Sequence, residues 1–94
     1  MRIDVLLNKL CLTKTRSIAK NACDKNLVSI NGKRAKASME VNPGDKVILK
    51  LYGYQFDLLI KEIPEGNVAK KDLSRYYDQI SRSKLDSDLL DNNI

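Results

Sequence analysis

The chain contains no histidine and no tryptophan. Without histidine, the commonest general acid–base group is missing, and with it the usual partner that activates a cysteine nucleophile. Only two cysteines occur, Cys11 and Cys23. Two thiolates without an imidazole leave a structural zinc site short of ligands unless carboxylates complete it, so no metal is expected. Both lie in segments of helical pattern with no secretory context, which reads as reduced, partly buried thiols in a cytosolic protein. The four glycines, Gly32, Gly44, Gly53 and Gly66, are isolated turn residues and form no phosphate-cradling loop. Long apolar runs are missing too. Asp4, Asn8 and Lys9 interrupt Ile3 to Leu12, so there is no signal-peptide pattern and nothing near the roughly 18 apolar residues of a membrane span. No catalytic constellation and no cofactor site emerges, and the expectation is a protein that is not an enzyme.

What the chain has in quantity is positive charge, unevenly placed. Lysine and arginine number 17 against 12 acids, for a net charge of +5. Residues 1–50 carry 11 basic and 4 acidic groups, whereas residues 51–94 carry 6 and 8. A basic first half beside a slightly acidic second half points to one face that meets a polyanion. At 94 residues the chain is one domain. A domain of this size buries only about 60–65% of the surface its unfolded form exposes, so its core is modest.

The periodicity changes along the chain. Ile3, Leu6, Leu7 and Leu10 recur at helical spacing and predict a first amphipathic helix over roughly residues 3–10. Thr13 or Thr15 can cap a second helix, whose stripe of Ile18, Ala19, Ala22 and Cys23 is small enough for close helix approach. Asn26 is the candidate left-handed residue that closes it. From Leu27 the period becomes two, and Asn31-Gly32 is the strongest hairpin signal in the chain. Asn42-Pro43-Gly44-Asp45 marks a second turn. Alternation over 46–51 and 55–60, broken at Gly53, predicts two further strands. Leu73, Tyr76, Tyr77 and Ile80 form one more helical stripe, placed to lie across the sheet, and the Ser/Asp/Asn-rich end from residue 85 is expected to be a disordered acidic tail. The fold class is therefore α+β: two N-terminal helices packed on a small antiparallel sheet, with a further C-terminal helix. The expected organisation is a folded unit at 1–62, a loop and helix at 63–84, and the tail at 85–94.

Basic residues collect at three places in this scheme. Arg2 precedes the first helix, and Lys14 and Arg16 flank Thr15 at the start of the second, where free N–H groups and the helix dipole favour an anion. A cation there is slightly unfavourable to the helix itself, an arrangement that makes sense with a phosphate between the two. The alternative is an ion pair of Asp4 with Arg2 or Arg16, and both readings can hold together. Lys20 follows Arg16 by one helical turn, on the same face. Lys33, Arg34 and Lys36 sit on or just after the Asn-Gly turn, either guarding a sheet edge or contacting phosphate. The aromatics, Tyr52, Tyr54, Phe56, Tyr76 and Tyr77, all lie in the second half, away from the basic cluster. They read as core or strand-pair residues, and recognition is expected to run through RNA shape and phosphates with little base reading.

Taken together, these residues resemble the S4 domain, an RNA-binding module named after a small-subunit ribosomal protein. Arg2-Ile3-Asp4 is similar to its Arg-Leu-Asp opening, and Thr15-Arg16-Ser17-x-Ala19 to its Ser-Arg-Ser-x-Ala. Val28-x-Ile30-Asn31-Gly32-Lys33 and Val41-x-x-Gly44-Asp45 resemble its Val-x-Val-Asn-Gly-Lys and Val-x-x-Gly-Asp. The matches run in order over residues 2–50, and the combination is specific where each piece is weak. The resemblance implies that Arg2, Lys14, Arg16, Lys20, Lys33, Arg34 and Lys36 contact RNA, with Thr15 beside them. Among carriers of the domain, the chain is similar to the stand-alone bacterial proteins of the fifteen-kilodalton heat-shock and ribosome-associated quality-control type. That similarity implies a cytoplasmic protein docking on structured ribosomal RNA of the large subunit, with peptidyl-tRNA, in rescue of stalled ribosomes, and a monomer is expected. No DNA or membrane partner is expected. Asn26 stands where that family has glycine, and the acidic end replaces the basic extension of the heat-shock branch. A ribosome-assembly factor, or an accessory module of an RNA-modifying enzyme, is the alternative reading, because phosphate contacts alone carry no sequence identity.

Overall fold

In the computed structural model, which describes residues 1–85, Ile3–Lys9 forms helix α1 and Arg16–Asp24 forms helix α2. The apolar stripe of α1 is wholly internal: Ile3, Leu6, Leu7 and Leu10 are all buried. From α2, Ala19, Ala22 and Cys23 meet them, and these short side chains allow the two helices to approach closely. Thr15, not Thr13, caps α2, its hydroxyl accepting the Ile18 N–H at 3.1 Å. Thr13 is buried and donates to the Thr15 carbonyl at 2.9 Å, which holds the inter-helix loop.

Both helices close with the same left-handed device. Asn26 has φ 64°, and its N–H and that of Leu27 turn back to the carbonyls of Cys23 and Ala22 at 3.0 and 2.9 Å. At the end of α1, Cys11 (φ 60°) and Leu12 do the same to Asn8 and Leu7, both at 3.0 Å. These are Schellman closures, which satisfy carbonyls that a helix end otherwise leaves orphaned. Asn26 was legible as such a residue. Cys11 was not, because cysteine carries no preference for that conformation.

The sheet has five antiparallel strands in the order β2-β1-β3-β4-β5: β1 Val28–Ile30, β2 Lys33–Arg34, β3 Lys46–Leu51, β4 Tyr54–Ile60 and β5 Tyr77–Lys84. Asn31 (φ 53°) and Gly32 (φ 83°) make the β1–β2 turn with the two positive φ angles an Asn-Gly hairpin needs. Val28, Ile30, Val47, Leu49, Leu58 and Ile60 point from the sheet toward α1 and α2 and complete one core. Between β2 and β3 the chain runs back along the start of α1. The N–H groups of Ile3 and Asp4 donate to the carbonyls of Met39 and Ala37 at 2.8 and 3.3 Å, and Val41 N–H to the carbonyl of Met1 at 2.9 Å.

The C-terminal part departs from the expected helical stripe. After a 3₁₀ turn at Lys70–Asp72, helix α3 spans only Leu73–Tyr76, and the chain then becomes β5. Tyr77-Asp78-Gln79-Ile80-Ser81 is poor in strong helix formers, and β4 presents an unpaired edge, so ladder hydrogen bonds decide against continuing the helix. Ile80 falls at a register shift opposite Asp57/Leu58 and is 52% exposed, so it is no part of an internal stripe. Residues 63–84 thus hold a loop, one short helix and a strand that belongs to the main sheet. The acidic tail expected at 85–94 lies, from residue 86 onward, outside the described residues. Among those described, no helix is long and apolar enough to cross a membrane.

Candidate nucleic-acid interface

Asp4 is the pivot of the basic face. It sits in the first turn of α1 and is 1% exposed. Its carboxylate accepts from Arg2 Nε and Nη2, both at 3.2 Å, from Arg16 Nε at 3.3 Å, and from the Val5 N–H at 2.8 Å. A lone buried carboxylate is expensive, and a pair of guanidiniums with a backbone donor compensates it. Both arginines remain accessible, with side chains 43% and 55% exposed. The two readings of Arg2 and Arg16 therefore coincide: each is an ion-pair partner whose outer donors still face solvent.

The two helix starts differ in their free amides. The first amides of α1 are already engaged, by Met39, Ala37 and the Asp4 side chain. An anion near Arg2 would meet the guanidinium and no free amide. At α2 the situation differs. Thr15 takes the Ile18 N–H, while the Arg16 and Ser17 N–H groups have no partner among the described residues. Arg2, Arg16, Ser17 and Lys20 surround that helix start in a concavity of about 260 Å³, with Asp4 at its base. Free amides, the positive end of the helix dipole and three cations converge there.

A second concavity, about 450 Å³, adjoins it. Arg2 and Lys20 line one side, and Arg34 and Lys36 the other. Asp24 is the acid in its lining, and the buried Cys23 lies at its floor. The fold thus brings together Arg2, Arg16, Lys20, Arg34 and Lys36. Lys14, Thr15 and Lys33 are exposed near this surface without lining either concavity. Thr15 is occupied by its cap.

Asn31 and Asp45, singled out from the turn motifs, are structural. The Asn31 amide donates to Asp45 at 3.0 Å and its oxygen accepts the Lys46 N–H at 2.9 Å, while Asp45 also accepts the Asn42 N–H at 2.8 Å. This clamp ties the two turns and sets the β1–β3 register that carries Arg34 toward α2. The Cys23 thiol is pushed up to about 11 by burial and by the negative charges of Asp4 and Asp24, so it is neutral and unreactive at physiological pH. Sequence reasoning missed Lys50. It lines, with Arg34, Asn26, Ser29 and Ile48, a further concavity of about 240 Å³ beside the main one. The only cue was its place in the alternating β3 pattern, which cannot reveal what lies next to it.

The S4 domain family matches residues 1–47. An RQC P-site tRNA stabilizing factor of Bacillus subtilis is 32% identical over 85 residues, spanning 90% of this chain and 98% of the relative. One from Helicobacter pylori is 39% identical over 77 residues, spanning 81% and 92%. Among solved structures, the trimeric heat shock protein 15 of Vibrio cholerae superposes with a TM-score of 0.80 at 27% identity, over 86% of this chain and 82% of that one.

Proposed function

Because this chain belongs to the S4-domain family of RQC P-site tRNA stabilizing factors, we infer that it is a non-catalytic factor of ribosome-associated quality control. It docks on large-subunit ribosomal RNA beside peptidyl-tRNA and holds that tRNA while a stalled chain is processed. The reading places it in the cytoplasm. The observation that carries it is the convergence of Arg2, Arg16, Lys20, Arg34 and Lys36 on adjoining concavities around one buried carboxylate.

The roles follow from donor counting. A guanidinium has five N–H donors. Arg2 spends Nε and Nη2 on Asp4, while Arg16 spends only Nε and leaves both amino groups without a partner among the described residues. Arg16 is thereby suited to a bidentate phosphate contact at the start of α2, with the Ser17 N–H beside it. Asp4 holds both arginines in place before RNA arrives, so little side-chain entropy is lost on docking. Lys20, Arg34 and Lys36 are point contacts to neighbouring phosphates. Lys14 and Lys33 add long-range attraction, and the protein acts as a monomer, its outer β5 edge blunted by a bulge and by Asp78, Arg82 and Lys84.

The test is co-sedimentation of the purified protein with vacant large subunits, with large subunits bearing peptidyl-tRNA, and with whole ribosomes. Preferential recovery with the peptidyl-tRNA particle is expected. Equal binding to vacant and tRNA-bearing subunits would reject tRNA stabilization and leave a general ribosomal RNA binder.

A further inference from the structure

The β3–β4 hairpin carries aromatic surface that neither the core nor the groove uses. Its turn is Tyr52-Gly53, at φ 56° and 80°. Tyr52 is 58% exposed and Tyr54 36%. A bulky residue in the left-handed region is unfavourable, and an exposed ring there contributes nothing to packing. Beside these rings, Tyr54 and Phe56 lie 6.1 Å apart, and the Arg82 guanidinium stands 5.1 Å over the Tyr54 ring. Lys84 is the cross-strand partner of Tyr54, whereas Lys50 pairs with Gln55 on the opposite face of the sheet. Asp57, the one acid of β4, is engaged by the Gln55 amide at 3.1 Å. Among the described residues, the tip is therefore aromatic and net positive.

It is also continuous with the basic groove. Arg34 and Asn26 line both the main concavity and the smaller one, whose lining also includes Lys50, two residues from Tyr52. We propose that this hairpin tip is a second RNA contact, a stacking platform for an unpaired nucleotide of the RNA whose backbone lies in the groove. The exposed faces of Tyr52 and Tyr54 take the base, and Arg82 and Lys84, the cross-strand partners of Phe56 and Tyr54, take the flanking phosphates. Aromatic faces set among cations, with no free carboxylate on β4, match a nucleotide and not an acidic peptide, which offers no flat ring to stack. The proposal rests on the reading that the groove binds RNA, and it reverses the expectation of recognition by shape and phosphates alone.

The experiment compares two labelled RNAs by fluorescence anisotropy: a hairpin with unpaired loop nucleotides and a blunt duplex of the same stem. Tyr52→Asn removes the ring while keeping a residue that accepts positive φ, and Arg82→Gln removes the adjacent cation from an exposed strand. Each is expected to weaken hairpin binding about tenfold and to leave duplex binding within about twofold. Arg16→Gln, in the groove, is expected to weaken both RNAs alike. Wild-type affinities for both tip variants, or equal losses on the two RNAs, would overturn the stacking site. A tip effect without any Arg16→Gln effect would overturn the groove and leave the tip standing.

Discussion

At the scale of single residues, the informative ones are those whose surroundings contradict their type. Asp4 is an acid in the middle of a basic face, and its burial explains the contradiction: it is the part that aims two arginines. Arg16→Glu would place a second carboxylate against it, so Arg16→Gln is the cleaner probe of RNA contact. Cys23 is similarly revealing. Its thiol is raised from 9.0 to about 11, chiefly by burial. An acid whose folded-state value is raised keeps its proton where the unfolded chain has lost it, so folding weakens as pH rises between these two values. Wild-type protein should therefore lose stability in urea from about pH 9 upward more steeply than Cys23→Ala, with the difference levelling off near pH 11. Parallel stability curves for the two proteins would show that Cys23 is not held neutral by the fold. Exposed Cys11 supplies the internal contrast, since it alone should be alkylated in the native state.

At the scale of elements, the same closure ends both helices, and each is satisfied by a residue other than glycine. Asn26 accepts φ 64° at modest cost because its short polar side chain tolerates the left-handed region. Asn26→Ala is expected to destabilise the protein by about 1 kcal/mol, and Asn26→Gly to be neutral or stabilising. Chemical denaturation of the two variants checks this; equal losses would mean that the Asn26 side chain, not its backbone conformation, matters. The strands tell a different story. The β1–β2 turn and the Asn31–Asp45 clamp follow from local chemistry, whereas β5 exists because β4 had an open edge. Tyr77 and Ile80 share a helical spacing with Leu73 and Tyr76, but that spacing lost to ladder pairing within one residue of the end of α3.

At the scale of the whole molecule, charge and shape are polarised together. The described residues extend 45 × 25 × 23 Å, and Arg34 and Asn26 line both the main basic concavity and the smaller one that includes Lys50 of β3. If about five phosphates are neutralised, log affinity should fall with log salt at a slope of about −4. A binding titration of ribosomal RNA across salt concentrations measures this directly. A slope near zero would mean that apolar contact, not the basic face, drives association.

Sequence alone determined the local features: the two helices with their buried stripes, the cap at Thr15 as one of two candidates, the closing Asn26, the Asn-Gly turn, and the clustering of positive charge in the first half. Each depends on interactions within a few residues, where spacing and side-chain type suffice. Tertiary structure decided what required distance along the chain. It engaged the amides of α1 with residues 37–39, joined Lys20 to Arg34 and Lys36 across a concavity, and turned the last helical stripe into a strand. It also left Tyr52 and Tyr54 outside the core. Burial and pairing partners are properties of the packed whole, and no local pattern specifies which surface another element will cover.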